Sequence, residues 1–216
     1  MDNIILIQEA IHSSKEAGEL GMMIKLDMAN AFDHARHSFT FLMLEKLGFS
    51  EELIRWIKAC ISSSWIAPMV NAHPTPFCVT SKGLRQGCPL SPLLYIIMAE
   101  LLSRNMEKAR QERNLVGLSV TRNIKGVNHS QFADDTLLLR GASKIIVIHF
   151  KKILNPYLEL SRGMVNNKKC QVYEWNCLES KLHEIAQILE FLVVSNLRSF
   201  KYLGIPIYLG SSNAYD

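Results

Sequence analysis

The sequence has little with which to staple or anchor a fold. Its 216 residues include five cysteines, an odd number, and none of Cys60, Cys78, Cys88, Cys170 and Cys177 forms a C-x-x-C pair. That pattern argues against a secreted disulfide framework and a structural zinc site. The longest near-continuous apolar run, Leu93 to Ala99, is too short for a bilayer, which takes about 20 residues. The chain opens on Asp2 and Asn3 without a basic-then-apolar leader, so no signal peptide is expected. Internal repeats and Gly/Ser- or Pro-rich linkers are lacking too. The reading is a soluble, intracellular protein with no membrane partner. A net charge of +4 is too small to demand a nucleic-acid partner and excludes none.

What is present is an ordinary globular balance, 48% apolar and 20% charged, which rules out a low-complexity or highly charged disordered chain. The length suits one domain or two small subdomains. Ile4, Ile7 and Ile11 share one face of a helix expected over Asn3 to Ala17, stopped by Gly18 and Gly21. Met22 to Asp27 reads as a short buried strand ending on an acid. Helices are expected over Ser38 to Leu47, from a Ser50 cap to about Cys60, and over Ser143 to Leu160. Pro89 and Pro92 open a long helix to about Arg113. Ser64 to Asn71 and Pro76 to Thr80 read as strands joined by a turn over Pro74 to Pro76. His129 to Ala133 and Thr136 to Arg140 have hairpin spacing around Asp134 and Asp135. Short strands are expected near Val172, Phe200 to Leu203 and Ile205 to Tyr208, with a frayed end after Tyr208. The mixture is α+β.

Three carboxylates stand out. Asp27 ends a hydrophobic strand, and Asp134 and Asp135 sit between two apolar runs. Adjacent acids in an apolar setting repel each other, and bound Mg²⁺, which takes hard oxygen ligands, would offset that. Asp is equally a favoured turn residue, so spacing alone leaves a turn and a metal site both open. The run Gly83 to Pro92 (G-L-R-Q-G-C-P-L-S-P) offers two glycines for close backbone approach and Arg85 and Gln86 as donors to phosphate or base edges. It is also what a Gly/Pro loop capping a long helix looks like. His34 and His37 lie at i, i+3 without a third ligand. Lys168, Lys169 and the series Arg104, Lys108, Arg110, Arg113, Arg122 and Lys125 suit phosphates or a solvated helix face.

Four segments in order carry a resemblance: Lys25 to Asp33 (K-L-D-M-A-N-A-F-D), Gly83 to Pro92, Phe132 to Asp135 (F-A-D-D) and Lys201 to Pro206 (K-Y-L-G-I-P). Over about Asn3 to Ile207 the chain resembles the reverse transcriptases of LINE-type, non-LTR retrotransposons, particularly plant copies. The resemblance implies a right-hand polymerase palm with partial fingers over 1–207, an antiparallel palm sheet packed on helices, and a tail over 208–216. It implies RNA-directed DNA synthesis from an RNA template, a DNA primer and deoxynucleoside triphosphates. Asp27, Asp134 and Asp135 would ligate two Mg²⁺ ions, with Mn²⁺ as a substitute. Phe32 would be the gate against a ribose 2′-OH. Arg85, Gln86 and Gly87 would lie by nucleotide and template, and Lys169 by the pyrophosphate. Tyr202, Leu203 and Gly204 would grip the primer. A nuclear location follows from the family alone.

Departures from the family pattern fall at Asn30, where Lys is usual, at His34 and Ala35, where Arg and Val are common, at Arg162, where Gly is usual, and at Cys170, where Ser is usual. Cys88 is an accepted alternative to Asp. Only 26 residues precede Asp27 and nine follow Ile207. The expectation is therefore a chain without upstream finger strands, helical thumb or endonuclease, with exposed apolar strand edges and impaired polymerisation. A nucleic-acid-binding remnant that keeps the palm fold is the alternative; a structural α+β protein whose acidic pair is only a turn is a third.

Overall fold

The computed structural model describes residues 2–63, 65–118, 126–132, 135–177, 179–194 and 199–208. In chain order the elements are α1 (Asp2–Glu16), β1 (Gly21–Asp27), α2 (Ala31–His34), α3 (His37–Lys46), α4 (Glu51–Ser62), β2 (Trp65–Ile66), β3 (Met69–Val70), β4 (His73–Pro74), β5 (Cys78–Val79) and α5 (Leu90–Gln111). Then follow β6 (His129–Phe132), β7 (Asp135–Gly141), α6 (Lys144–Ser161), β8 (Gln171–Trp175), α7 (Glu179–Leu189), β9 (Leu192–Val194), β10 (Ser199–Tyr202) and β11 (Ile205–Tyr208). Two compact units emerge: Met1–Asp27 with Ser103–Leu154 and Val165–Asp216, and Met28–Leu102 with Asn155–Met164. Among the described residues no helix is long and apolar enough to cross a membrane.

The first unit is built on a five-stranded sheet in the order β6-β7-β1-β8-β9. Central β1 is buried on both faces, as its near-continuous apolar run requires. Met23, Leu137, Leu139, Tyr173 and Trp175 share one face and pack on Ile7, Ala10 and Ile11 of α1 and on Phe200, Tyr202 and Ile207 of the β10–β11 hairpin. The α1 seam is specific. A Cβ on Gly21 would lie 2.0 Å from the Trp175 indole, whose N–H donates to Ser14 Oγ at 3.1 Å. The hairpin closes through Leu203 and Gly204, with φ of 51° and 83° between the paired Tyr202 and Ile205. Positive φ at both positions marks the type I′ turn, which suits Gly at the second.

The sheet departs from the antiparallel expectation at one edge: β8 and β9 pair in parallel. Parallel neighbours need a crossover, and α7 supplies it. The sequence reading passed over α7, although Leu182, Ile185 and Leu189 hold helical spacing.

In the second unit Ser50 caps α4, accepting the Leu53 N–H at 3.3 Å. The sequence suggests strands over Ser64 to Asn71 and Pro76 to Thr80. Instead four two-residue strands form, β2 paired with β5 and β3 with β4. The turn falls at Asn71 and Ala72, both at positive φ, not over Pro74 to Pro76. Asn tolerates the left-handed region, whereas Pro68 and Pro76 lack the N–H a ladder uses and cut the strands short. Trp65, Ile66, Met69, Val70, Phe77 and Val79 are all exposed there.

Two of the departures from the family pattern acquire a backbone meaning. Asn30 stands in the left-handed conformation before α2, which Asn accepts. Arg162 has φ 60° just past the end of α6, the position where helices favour Gly. Arg162→Gly should therefore raise stability by about 1 kcal/mol, the scale of the left-handed penalty for a residue with a Cβ. Urea titration checks this, and an unchanged or lower midpoint would contradict it.

Candidate active site

Asp27 and Asp135 are directly opposed across β1 and β7, so their side chains leave the sheet on one face. The backbone shows which kind of pair they form. The Asp27 N–H donates to Cys170 Sγ at 3.3 Å, and its carbonyl accepts the Asn166 N–H at 2.9 Å. Both groups thus point to the β8 side, away from β7. On β7 the Leu139 N–H donates to Asn128 at 3.0 Å, on the β6 side. By alternation Asp135 also turns its backbone to β6, where Phe132 is its partner. Asp27 and Asp135 therefore form a pair without mutual backbone bonds, the geometry with Cα atoms about 4.5 Å apart and the side chains closest. Both residues are half-buried. Two like charges so placed repel, and hard carboxylate oxygens on one face fit a divalent cation. Asp134 lies outside the described residues.

A turn completes the end of β1. The Lys169 and Cys170 N–H groups both donate to the Asn166 carbonyl at 2.9 Å, which places exposed Lys169 in the turn that bonds to Asp27. Cys170 is fully buried, and that burial pushes its thiol up to about 11. The hairpin residues divide. Tyr202 is 1% exposed within the core, while Leu203 and Gly204 are exposed at the tip. Burial raises the Tyr202 phenol above its usual range, the Ser130 hydroxyl lowers it, and the Asp135 charge raises it again. The ring is thus a buried anchor near Asp135 rather than a surface group.

In the second unit the Gly83–Pro92 segment is braced from several sides. The Leu84 N–H donates to the Phe32 carbonyl at 2.7 Å and the Gly83 N–H to that of Ala35 at 2.8 Å. Gln86 Nε2 donates to Asp33 Oδ1 at 3.4 Å, and buried Ser91 donates its hydroxyl to the Arg85 carbonyl at 2.7 Å. Phe32 stacks on Tyr95 with ring centroids 5.2 Å apart. Phe32, Arg85, Gln86, Gly87 and Cys88 line one cleft of about 470 Å³. The Cys88 thiol is held below its ordinary range, first by the Leu90 N–H and also by Ser91 and the Arg85 charge, against the opposing effect of burial. The start of α5 thus favours negative charge.

The sequence candidate His37, and a Ser103–His129–Asn128 chain, resolve as braces. His37 is buried, with Nε2 2.8 Å from the Gly83 carbonyl, to which it donates. Among the described residues no group of three metal-ligating side chains occurs. Ser103 Oγ lies 2.7 Å from His129 Nε2, and His129 Nδ1 lies 2.5 Å from Asn128 Oδ1. Although this has the order of a hydrolytic triad, Ser103 sits inside α5, where the helix consumes the backbone N–H groups an oxyanion hole would need. It ties α5 to β6. The sequence did not point to Asn166, Cys170 or His129, whose signal is a single polar residue at a strand end.

The fold is that of a polymerase palm. A telomerase from Candida tropicalis, truncated from its C-terminal domain and solved in its apo form, superposes with a TM-score of 0.67 at 14% identity, over 96% of this chain and 38% of that one. A Candida albicans telomerase solved with a TWJ fragment of telomeric RNA gives 0.65, also at 14% identity, over 96% of this chain and 32% of its own. Residues 2–207 match the family model for reverse transcriptase (RNA-dependent DNA polymerase), and the chain belongs to that family. The family generally works with divalent metal ions.

The relatives bear out the LINE-type resemblance. A retrovirus-related Pol polyprotein from a type-1 retrotransposable element R2 of Popillia japonica is 27% identical over 212 residues, 94% of this chain and 28% of the relative. A transposon TX1 protein of Xenopus laevis is 28% identical over 138 residues, 64% of this chain and 10% of the relative. An uncharacterized mitochondrial protein of Arabidopsis thaliana is 43% identical over 68 residues, 32% of this chain and 56% of the relative. The chain thus spans between a tenth and just over half the length of these relatives.

The opposed carboxylates give a direct expectation. In EDTA, Asp27→Asn should raise the melting temperature by about 1–4 °C, since it removes a like-charge pair worth up to about 1 kcal/mol. Mn²⁺ should then stabilise the wild type and leave the variant unmoved. A variant that melts lower in EDTA would show that Asp27 is held by a favourable partner instead.

Proposed function

We propose that this chain is the catalytic core of an RNA-directed DNA polymerase, acting on an RNA template, a DNA primer and deoxynucleoside triphosphates. The observation that carries the reading is the pairing of Asp27 with Asp135, with Asp134 immediately before it in F-A-D-D. Asp27, Asp134 and Asp135 would hold two Mg²⁺ ions, with Mn²⁺ able to replace them. Such ions neutralise triphosphate charge and stabilise the attacking and leaving oxygens of phosphoryl transfer.

The remaining roles fall to the chain's own side chains. Phe32, backed by the Tyr95 ring, is read as the wall that excludes a 2′-OH. Arg85 and Gln86 offer donors to nucleotide and template, and Gly87 leaves the backbone approachable. Lys169, exposed on the turn that bonds to Asp27, suits the departing pyrophosphate. The exposed Leu203–Gly204 tip would touch the primer terminus, and Tyr202 would hold that tip to the core. Residues 1–207 are read as palm with partial fingers, and 208–216 as a tail.

Primer extension on an RNA template, with Mg²⁺ and then Mn²⁺, tests this. Extension by the wild type should fall by more than about 100-fold in Asp134→Asn, the scale of losing one preorganised charge-stabilising group. Equal extension by both proteins would sink the carboxylate assignment. Template–primer binding without extension by either would make the chain a nucleic-acid-binding remnant.

A further inference from the structure

The β1–β8 ladder stops two residues short of Asp27. Its last partners are Lys25 and Gln171. In the same register the next residue opposite Asp27 would be Lys169, whose carbonyl would take the Asp27 N–H. Lys169 instead lies in the turn that begins at Asn166, so that carbonyl is not in line. The backbone of Cys170 is committed elsewhere: its N–H goes to Asn166 and its carbonyl accepts the Leu192 N–H at 3.3 Å. Its side chain fills the gap. Sγ accepts the Asp27 N–H at 3.3 Å and faces the Asp27 carbonyl at 3.7 Å as a donor.

We propose that Cys170 is a positioning residue: its buried thiol replaces the missing strand partner, holds the Asp27 backbone turned away from β7, and so keeps the Asp27 carboxylate opposite Asp135. The cation-binding consequence rests on the function proposed above; the backbone consequence does not. Released from sulfur, the end of β1 keeps only the Asn166 bond on that side, and the two carboxylates hold their common aim less firmly. A hydroxyl meets both backbone groups as the thiol does, whereas valine fills the space and meets neither.

The test compares Cys170→Ser, Cys170→Val and Cys170→Ala in the full chain. Amide exchange at Asp27 is read by NMR, Mn²⁺ affinity by electron paramagnetic resonance, and nucleotide incorporation by single-turnover kinetics. Valine and alanine should speed Asp27 exchange and weaken Mn²⁺ binding by about tenfold or more, as loss of a ligand-orienting partner does, with serine within about threefold of the wild type. The catalytic rate should fall in the same order while KM for the nucleotide stays put. A cooperatively folded Cys170→Val with wild-type exchange at Asp27 would overturn the proposal. If alanine fails to fold, the serine–valine comparison decides. If the wild type extends no primer or binds no Mn²⁺, the proposed function fails, and Asp27 exchange still decides the role of Cys170.

Discussion

The structure turns on the last residue of β1. Asp27 is held from the β8 side by Cys170 and Asn166 and left without a backbone bond to β7. Its side chain must therefore meet Asp135 at the closest spacing an antiparallel pair allows. Two acids in that position are unfavourable for a fold on its own terms. They make sense as a place where positive charge arrives. The surroundings serve to keep the end of β1 from relaxing out of this arrangement.

The support is layered. Strand β1 is locked by burial on both faces, and the α1 seam fixes its start through Gly21, Trp175 and Ser14. Tyr202 carries the β10–β11 hairpin into the same core. On the other strand, His129 bonds to Ser103 and Asn128, tying β6 to α5. The second unit uses a parallel strategy. The Gly83–Pro92 segment is tied by backbone bonds to Phe32 and Ala35 and by the side chains of His37 and Ser91, so Arg85 and Gln86 stand on a fixed base.

Much of this was legible in the residues. Apolar runs and cap residues placed α1, β1, α4, α5, α6 and the paired strands β6 and β7, because those signals are local. Three signals were misread or missed. Pro74 drew the turn away from Asn71, although Asn accepts left-handed backbone more readily than Pro serves beside a ladder. The parallel β8–β9 pair followed from α7, whose short periodic run was overlooked. The motif around Tyr202 does not show that its ring is core, since burial depends on what packs above the sheet. Cys170 carries no local sign of its role, which arises only where the β1–β8 ladder ends.

Asp27 and Asp135 are proposed to face one cation-binding position. Anomalous diffraction from a crystal soaked in Mn²⁺ tests it most directly. A peak is expected within about 2.0–2.3 Å of carboxylate oxygens from both residues, the range for hard-cation ligands. A strong peak elsewhere with none between the two carboxylates, or a lysine ammonium bridging them, would contradict it.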